Sequence, residues 1–283
     1  MLKIFVLSSG RSGTRYLTNL FKYNIKGCVS KHEPLPKMFG KPIYWYNEQR
    51  VDKIRKHFIW KKRRINSYRT HFYIETNNAF LKSFSDVAME FFQDMKLIHL
   101  IRNPLEVARS ELNKEILIHK TLTKIIYPLP KYYWGNDGNK YYIWSLTKKE
   151  KIYQDVNLKF LTPYQNYLLQ WIEIENRAMD FLKKYDKHRD CFTLFTPRDL
   201  NYIKKLSKMF EFFNLKIKNE FINTSVNKNI GLVPTIVNNE DKRQLQELIN
   251  HLPEKYLRIF KEKPYSEIKW NHILKKKVLK LSR

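Results

Sequence analysis

Cysteine, glycine and proline are scarce in this sequence, and each scarcity narrows what the chain can be. Its 283 residues include 2 cysteines, 7 glycines and 11 prolines. Cys28 and Cys191 are compatible with one disulfide bridge and equally with a reducing compartment, so the cysteines do not distinguish an oxidising from a reducing location. No Ser-, Gly- or Pro-rich linker divides the chain, and we therefore expect one continuous domain over residues 1–283.

Long apolar runs are missing as well. No run of 18 apolar residues occurs, and the apolar opening at residues 2–7 is far too short for a signal peptide. We expect a cytoplasmic protein without a transmembrane segment. Hydrophobic residues still make up 43 % of the chain, which is enough for a substantial core.

Acidic residues are few: 27 Asp and Glu stand against 54 Lys and Arg, which gives a formal net charge of +27. Such a surface favours anionic partners, namely nucleotides, nucleic acid, acidic polysaccharide or a membrane surface. A composition rich in Lys, Asn, Ile and Tyr, as an AT-rich genome produces, explains the same charge without any function. The charge alone therefore selects no partner.

The start of the chain follows a strand–loop–helix pattern. Leu2 to Leu7 form an apolar strand, Ser8 to Arg15 form a loop rich in Gly and Ser, and an amphipathic helix opens at Gly13-Thr14. The backbone N–H groups of such a loop and the positive end of the helix dipole form a cradle for an oxyanion, most often a phosphate. Arg11 and Arg15 add full positive charges that can reach the same anion.

Strands alternate with helices along the chain. Further strands are predicted at 27–31, 71–75, 96–101 and 191–195, and helices at 47–60, 79–92, 162–185, from Thr196-Pro197 to 212, and 240–251. This alternation indicates an α/β protein: a three-layer, P-loop-like fold with a central parallel sheet of about five strands and helices on both faces. Ligands of such sheets bind beyond the carboxyl ends of the strands. The polar residues predicted at those ends are Ser8 to Arg15, His32-Glu33, Glu75-Thr76 and Arg102-Asn103.

Two segments stand outside this alternation. Residues 118–161 lack clean periodicity and are rich in Tyr and Trp, which fits either an insertion lying over the site or a peripheral packing patch. Residues 266–283 predict a Lys-rich amphipathic helix. We interpret this helix as solvated, with one packed face, rather than as a membrane-surface element.

The glycine loop does not fit the ATP-binding pattern of P-loop kinases. That pattern requires Lys and then Ser or Thr directly after its final Gly, whereas Gly13 is followed by Thr14-Arg15 and lies too close to Gly10. A P-loop nucleotide or small-molecule kinase is therefore only an alternative. A non-enzymatic nucleic-acid-binding protein is another, suggested by the charge and by the aromatic and basic segments 44–64 and 131–144.

A second anion site is predicted at Arg102 and Ser110. These residues are about two helical turns apart, so both can face the same side of a helix that Asn103 caps and Pro104 begins. Two separate phosphate sites imply a ligand with phosphates at both ends of its ribose. A salt bridge from Arg102 to Glu106 is the structural alternative.

Taken in order, these motifs resemble those of sulfotransferases. Gly10 to Leu17 looks like their 5′-phosphosulfate loop, and Leu100 to Ser110 looks like their 3′-phosphate motif. His32 to Leu35 resembles the Glu-Pro segment of carbohydrate sulfotransferases and their bacterial relatives. Phe195 to Leu215 loosely resembles a later strand, turn and helix of the family, with Pro197-Arg198 in place of the usual Tyr-Glu.

The resemblance implies an enzyme that moves the sulfuryl group of 3′-phosphoadenosine-5′-phosphosulfate (PAPS; product PAP) to a hydroxyl or amine. The residues it implies for the nucleotide are Arg11, Ser12, Gly13, Thr14, Arg15, Tyr16, Arg102 and Ser110. Arg11 would neutralise the departing phosphate, and no metal is implied because Arg side chains supply the positive charge. We expect a small-molecule or glycan acceptor, with an anionic one suited to the charge, and no nucleic acid.

Two carboxylates compete for the role of general base. Glu33 is the first choice, since it follows a strand end and matches the Glu of the Glu-Pro segment. Glu75 is the second, because it ends the third strand, where other sulfotransferases place a catalytic His beside Lys-Thr. This chain has Glu75-Thr76-Asn77 there. His32 is assigned to acceptor binding together with Glu33.

Overall fold

A five-stranded parallel sheet carries three of the predicted site residues, His32, Glu75 and Arg102. The computed structural model describes residues 1–119, 131–225 and 235–268. The strands are β1 (Leu2–Leu7), β2 (Cys28–His32), β3 (Phe72–Thr76), β4 (Lys96–Arg102), β5 (Tyr132–Trp134), β6 (Lys140–Tyr142) and β7 (Cys191–Thr196). The sheet has the order β2-β3-β1-β4-β7, with every neighbouring pair parallel, and β5 and β6 form a separate antiparallel hairpin. Each sheet strand lies within one residue of its predicted bounds.

Helices connect these strands. They are α1 (Thr14–Asn24), α2 (Lys41–Asn47), α3 (Val51–Asn66), α4 (Ser85–Phe91), α5 (Pro104–His119), α6 (Lys151–Asp155), α7 (Pro163–Lys184), α8 (Ile203–Phe212) and α9 (Asn239–His251). A π-helical turn, Phe80–Phe84, leads into α4. The start of α5 is as the sequence indicates, because the Asn103 side chain accepts the N–H of Leu105 and Pro104 is the first helical residue.

Helices cover both faces of the sheet. Ile4 and Val6 of β1 belong to a buried cluster that includes the inner faces of α1 and α8. Phe5 points to the opposite face, where its ring stacks on Phe80 and Phe92 at centroid distances of 5.3 and 6.0 Å. Because successive residues of a strand alternate sides, β1 serves both cores. The predicted three-layer, P-loop-like α/β fold is confirmed.

The chain divides into two units. The first comprises Met1–Arg102, Pro130–Thr147 and Ala178–Ile230 and contains the sheet and the hairpin. The second comprises Asn103–Leu129, Lys148–Arg177 and Gly231–Arg283. Within the second unit, Arg109 forms an ion pair with the buried carboxylate of Asp241. That the chain forms one continuous domain stays a prediction.

Three helix predictions are wrong in their bounds. The helix predicted over 47–60 is instead α2 and α3, with Gln49 between them in a left-handed conformation (φ 55°) that interrupts the helix. Helix α9 begins one residue before the predicted 240–251, and its cap is Asn238, since the Asn238 side chain accepts the N–H of Asp241 and the Asp241 side chain accepts the N–H of Asn238. This reciprocal pair is a capping box.

The helix predicted from Thr196-Pro197 also begins later. Asp199 accepts the N–H of Phe195 at 2.9 Å and holds the chain in a 3₁₀ turn over Asp199–Asn201. The following residue, Tyr202, is extended, and α8 starts only at Ile203. An acidic side chain that bonds the backbone in this way competes with helix formation, which the sequence pattern does not reveal.

The predicted insertion over 118–161 contains the hairpin and α6, and its residues 120–130 lie outside the described residues. Most of the helix predicted over 266–283 also lies outside the described residues, which end at 268. The described part includes the end of a 3₁₀ turn at Tyr265–Glu267. In the ranges that are described, no helix combines the length and the apolar content needed to cross a bilayer.

Candidate active site

The loop after β1 turns on two glycines. Gly10 and Gly13 have φ angles of 101° and 90°, and Arg11 between them has 48°. The Ser12 hydroxyl donates to the Gly10 carbonyl at 2.8 Å, and the Gly10 N–H donates to the Ser8 hydroxyl at 3.2 Å. The loop therefore closes on itself just before α1. A glycine at the N-cap supplies no capping side chain, so the first N–H groups of α1 suit an external anion.

The end of β7 explains why Gly13 is glycine. A Cβ atom on Gly13 would lie 2.9 Å from Cδ1 of Leu200, closer than carbon atoms pack, and the positive φ already disfavours a side chain. The Thr196 hydroxyl donates to the Ser12 carbonyl at 2.8 Å and fixes the same loop. Sequence reasoning missed both Thr196 and Leu200 as neighbours of this loop.

Arg102 reaches the glycine loop from the end of β4. One of its terminal nitrogens, Nη1, donates to the Arg11 carbonyl at 2.8 Å. Arg102 and Arg11, which are predicted for the two ends of the nucleotide, are thus in contact through the Arg102 side chain and the Arg11 backbone. Ser110 belongs to the second unit, and its pairing with Arg102 on one phosphate stays a prediction.

Arg15 and Tyr16 follow the loop on the first turn of α1. Arg15 is exposed, whereas Tyr16 is buried and its hydroxyl lies 3.3 Å from the Leu200 carbonyl and 3.0 Å from the Thr224 carbonyl. Burial raises the pKa of Tyr16 above its ordinary value, so the phenol stays a hydrogen-bond donor. Tyr16 therefore ties the start of α1 to two backbone segments.

A chain of hydroxyl groups links the ends of β2 and β3 to α1. Nδ1 of His32 lies 2.9 Å from the Thr76 hydroxyl, which lies 2.6 Å from the Thr18 hydroxyl. Thr18 in turn donates to the carbonyl of Thr14 at 3.0 Å. Two predicted residues, His32 and Thr14, are thus connected through Thr76 and Thr18. Thr76 was predicted at the end of its strand, whereas Thr18 was not singled out from the sequence.

Glu33 follows β2 in an unusual backbone conformation. Its φ is 45°, in the left-handed region that residues other than glycine rarely adopt. Its N–H donates to the Thr76 carbonyl at 3.0 Å, and its carbonyl accepts from Nζ of Lys37 at 2.5 Å. The side chain is half-buried. Glu33, the residue directly after His32, therefore lies beside the end of β3.

Glu75, the second candidate base, is fully buried. Its Oε1 accepts from Nζ of Lys61 at 2.8 Å and from the amide of Asn77 at 2.9 Å, while its Oε2 accepts from the Tyr73 phenol at 2.8 Å. Burial first, and then the Glu75 carboxylate, raise the pKa of Tyr73 well above its ordinary value, so the phenol keeps its proton. The carboxylate is therefore held by three donors, which come from β3, from the residue directly after it and from α3.

Lys61 is the residue that sequence reasoning missed most clearly. It lies in the basic run at 61–64, which is typical of a solvated helix face, yet it is 1 % exposed. The buried residues of α3 are Ile54, Phe58, Lys61 and Ile65. Their i, i+4, i+7, i+11 spacing puts Lys61 on the apolar face, and this periodicity is the signal that could have found it.

Among the residues of the described ranges, no group of three or more His, Cys, Asp or Glu side chains could hold a metal ion. Three arginines supply positive charge at the glycine loop. Arg11 lies in the loop, Arg15 follows it on α1, and Arg102 donates a hydrogen bond to the Arg11 carbonyl.

No protein-family model matches the sequence, and no curated protein matches it in sequence either. Solved structures do match the fold. A crystal structure of a sulfotransferase from Alicyclobacillus acidocaldarius aligns with a TM-score of 0.52 and 9 % sequence identity, over 94 % of this chain and 98 % of that chain. The fold is that of a sulfotransferase. The resemblance that the motifs indicated is confirmed at the level of the fold.

Two other sulfotransferase structures align as well. The sulfotransferase domain from the curacin biosynthetic pathway gives a TM-score of 0.44 and 15 % identity, over 88 % of this chain and 98 % of that chain. The mouse sulfotransferase SULT7A1, solved in complex with PAP, gives a TM-score of 0.44 and 14 % identity, over 92 % of this chain and 81 % of that chain.

Proposed function

We propose that this protein is a PAPS-dependent sulfotransferase that transfers the sulfuryl group to a hydroxyl or amine. The observation that carries the proposal is the glycine loop between β1 and α1, whose Arg11 carbonyl is bonded by Arg102 from the end of β4. This contact joins the two motifs that resemble the nucleotide sites of sulfotransferases. Both lie at the carboxyl edge of a parallel sheet, where such folds bind their ligands.

The loop and its arginines would act on the nucleotide. The N–H groups from Ser12 to Arg15 would hold the 5′-phosphosulfate at the positive end of α1. Arg11 would stabilise the charge that develops on the departing phosphate, and the Thr14 hydroxyl would add a contact. The protein's part in an in-line displacement at sulfur is then positioning and electrostatic stabilisation, as in phosphoryl transfer.

Glu33 is better suited than Glu75 to remove the proton of the acceptor. Glu75 is fully buried, and its two oxygens accept from Lys61, Asn77 and Tyr73, which supports a structural role. Glu33 is half-buried and lies past the end of β2, on the same edge of the sheet as the glycine loop. A general base must come within hydrogen-bond distance of the acceptor. A half-buried carboxylate can do so more readily than a fully buried one, which favours Glu33.

A carbohydrate acceptor, and an acidic one in particular, is supported by α3. The exposed side of α3 carries Lys53, Lys56, Trp60, Arg63 and Arg64, which we call the basic face of α3. Trp60 is 64 % exposed, and the Arg63 guanidinium lies 5.4 Å from its ring centroid. An exposed indole stacks on sugar rings, and the four cations attract carboxylate or sulfate groups.

Nucleotide binding tests the proposed function. PAP at a hundredfold excess over its Kd should raise the melting temperature by about 5–10 °C. Adenosine 5′-monophosphate, which lacks the 3′-phosphate, should raise it much less, and differential scanning fluorimetry measures both. Equal stabilisation by magnesium–ATP and by PAP would favour a kinase. Tight, salt-sensitive binding of RNA or DNA that PAP does not affect would favour a nucleic-acid-binding protein.

The acceptor class is tested by a transfer assay with radiolabelled PAPS against acidic glycans, neutral glycans, phenols and lipids. For the variant Arg63→Ser/Arg64→Ser we expect KM for an acidic glycan to rise about threefold to tenfold at low salt, since each lost exposed charge pair is worth a fraction of a kcal/mol. The rise should shrink at high salt. Lys204→Ser/Lys208→Ser, two exposed cations of α8, is the matched control and should leave KM unchanged.

A further inference from the structure

The backbone at Glu33 is strained and is held on both sides. A left-handed φ in a residue other than glycine costs free energy and persists only when the surrounding structure fixes it. Here the Thr76 carbonyl holds the N–H of Glu33, and Nζ of Lys37 holds its carbonyl. The next carbonyl, that of Pro34, lies 3.3 Å from Nζ of Lys61. Three consecutive backbone groups are thus bonded to groups outside the turn.

Lys61 makes this contact from the core. Its side chain is 1 % exposed, and Nζ also forms an ion pair with Oε1 of Glu75 at 2.8 Å. A buried ion pair is a weak source of stability, because apolar residues of the same volume often serve as well. Stability alone therefore gives little reason for a lysine at this place in α3. The contact with the Pro34 carbonyl, one residue after Glu33, supplies a different reason.

Glu75 fixes where the Lys61 ammonium lies. The carboxylate accepts from the Tyr73 phenol and the Asn77 amide besides Lys61, and both Tyr73 and Asn77 belong to β3 or follow it directly. The position of Nζ is therefore set by β3. Through Lys61, β3 also sets the position of the turn that carries Glu33. The strand next to β3 is β1, which leads into the glycine loop, so the turn and the loop are both positioned by neighbouring strands.

We propose that Lys61, together with Lys37, is a positioning residue that clamps the Glu33–Pro34 turn and so aims the Glu33 carboxylate at the acceptor. This inference rests on the proposed function, in which Glu33 is the base. Lys61 acts through the backbone of the turn and touches neither nucleotide nor acceptor. The Lys61–Glu75 ion pair is then the inner anchor of the clamp, and the Lys37 contact is its outer anchor.

The double variant Lys61→Met/Glu75→Gln separates clamping from ion pairing. Lys61→Met alone would leave Glu75 buried without its cation and destabilise the protein, whereas the double variant removes both charges together. We expect it to bind PAP with the Kd of the wild type while kcat falls about tenfold to a hundredfold, as for a misplaced catalytic group. Amide hydrogen exchange of the peptide over 30–38 should be at least about tenfold faster. Lys62→Met, a half-buried neighbour on α3, is the matched control and should change neither.

A double variant with the kcat or the exchange rate of the wild type would overturn the clamp. If circular dichroism shows that the double variant is unfolded, Lys37→Met takes its place. Lys37 is half-buried and its variant should fold, with kcat lowered about threefold to tenfold and faster exchange over 30–38. An unchanged Lys37→Met would equally overturn the proposal. A wild-type protein that binds no PAP would refute the proposed function, and the exchange measurement would still decide whether Lys61 holds the turn.

Discussion

Replacing Glu33 with glutamine should lower kcat by about 10²–10⁴-fold, the range that a positioned general base contributes. Glutamine keeps the size of the side chain and a hydrogen-bonding carbonyl, but it cannot take the proton that the acceptor must lose. The backbone contacts of Glu33 with Thr76 and Lys37 involve no carboxylate atoms and should survive. PAP binding should therefore keep the Kd of the wild type. Steady-state sulfate transfer and isothermal titration with PAP measure the two quantities.

Glu75→Gln is the comparison that makes this result decisive. It removes the anion that faces the buried Lys61 ammonium, so we expect a loss of stability of about 3–5 kcal/mol. Below its melting temperature the variant should lose less than about tenfold in kcat, in contrast to Glu33→Gln, because the amide oxygen of glutamine can still accept from Lys61 and keep part of the clamp. A Glu33→Gln protein with the kcat of the wild type, next to a folded but inactive Glu75→Gln protein, would reverse the assignment of the base.

Much of the candidate site could be predicted because its parts follow strand ends. An apolar strand followed by polar residues indicates where the carboxyl end of that strand lies. Parallel strands bring their carboxyl ends to the same side of the sheet, whatever their distance in sequence. This is why Arg102 could be associated with the glycine loop, a contact that the structure shows at the Arg11 carbonyl. It is also why His32 and Glu75-Thr76 could be placed on the same edge, as the pairing of His32 with Thr76 across β2 and β3 shows.

The supporting contacts could not be predicted, because they depend on side chains whose types suggest another role. Lys61 lies in a run of basic residues, and only its position on the apolar face of α3 distinguishes it from its neighbours. Asp199 resembles a helix-starting residue but bonds the N–H of Phe195 and delays α8. Thr196 and Leu200, which shape the loop at Gly13, come from the end of β7 and the turn after it, far away in sequence. A single sequence carries no record of such distant contacts.

Arg102→Ala should weaken PAP binding about tenfold to a hundredfold, since hydrogen bonds to a charged partner are worth about 1.5–3 kcal/mol. Two effects add here. The variant loses the cation proposed for the 3′-phosphate, and it loses the donor that holds the Arg11 carbonyl in a loop where Arg11 has a positive φ of 48°. Isothermal titration with PAP measures the change. Arg189→Ala, an exposed arginine just before β7 at the opposite edge of the sheet, is the control and should leave the Kd unchanged.

Ligands that differ only in the 3′-phosphate separate the two effects of Arg102. Binding of adenosine 5′-monophosphate depends on the loop alone, so its loss of affinity in Arg102→Ala reports how far the loop relies on the Arg11 contact. The additional loss for PAP reports the 3′-phosphate, because the difference between the two ligands isolates that group. If the wild type and Arg102→Ala discriminate between the two ligands equally, Arg102 does not bind the 3′-phosphate. Its role would then be confined to shaping the glycine loop.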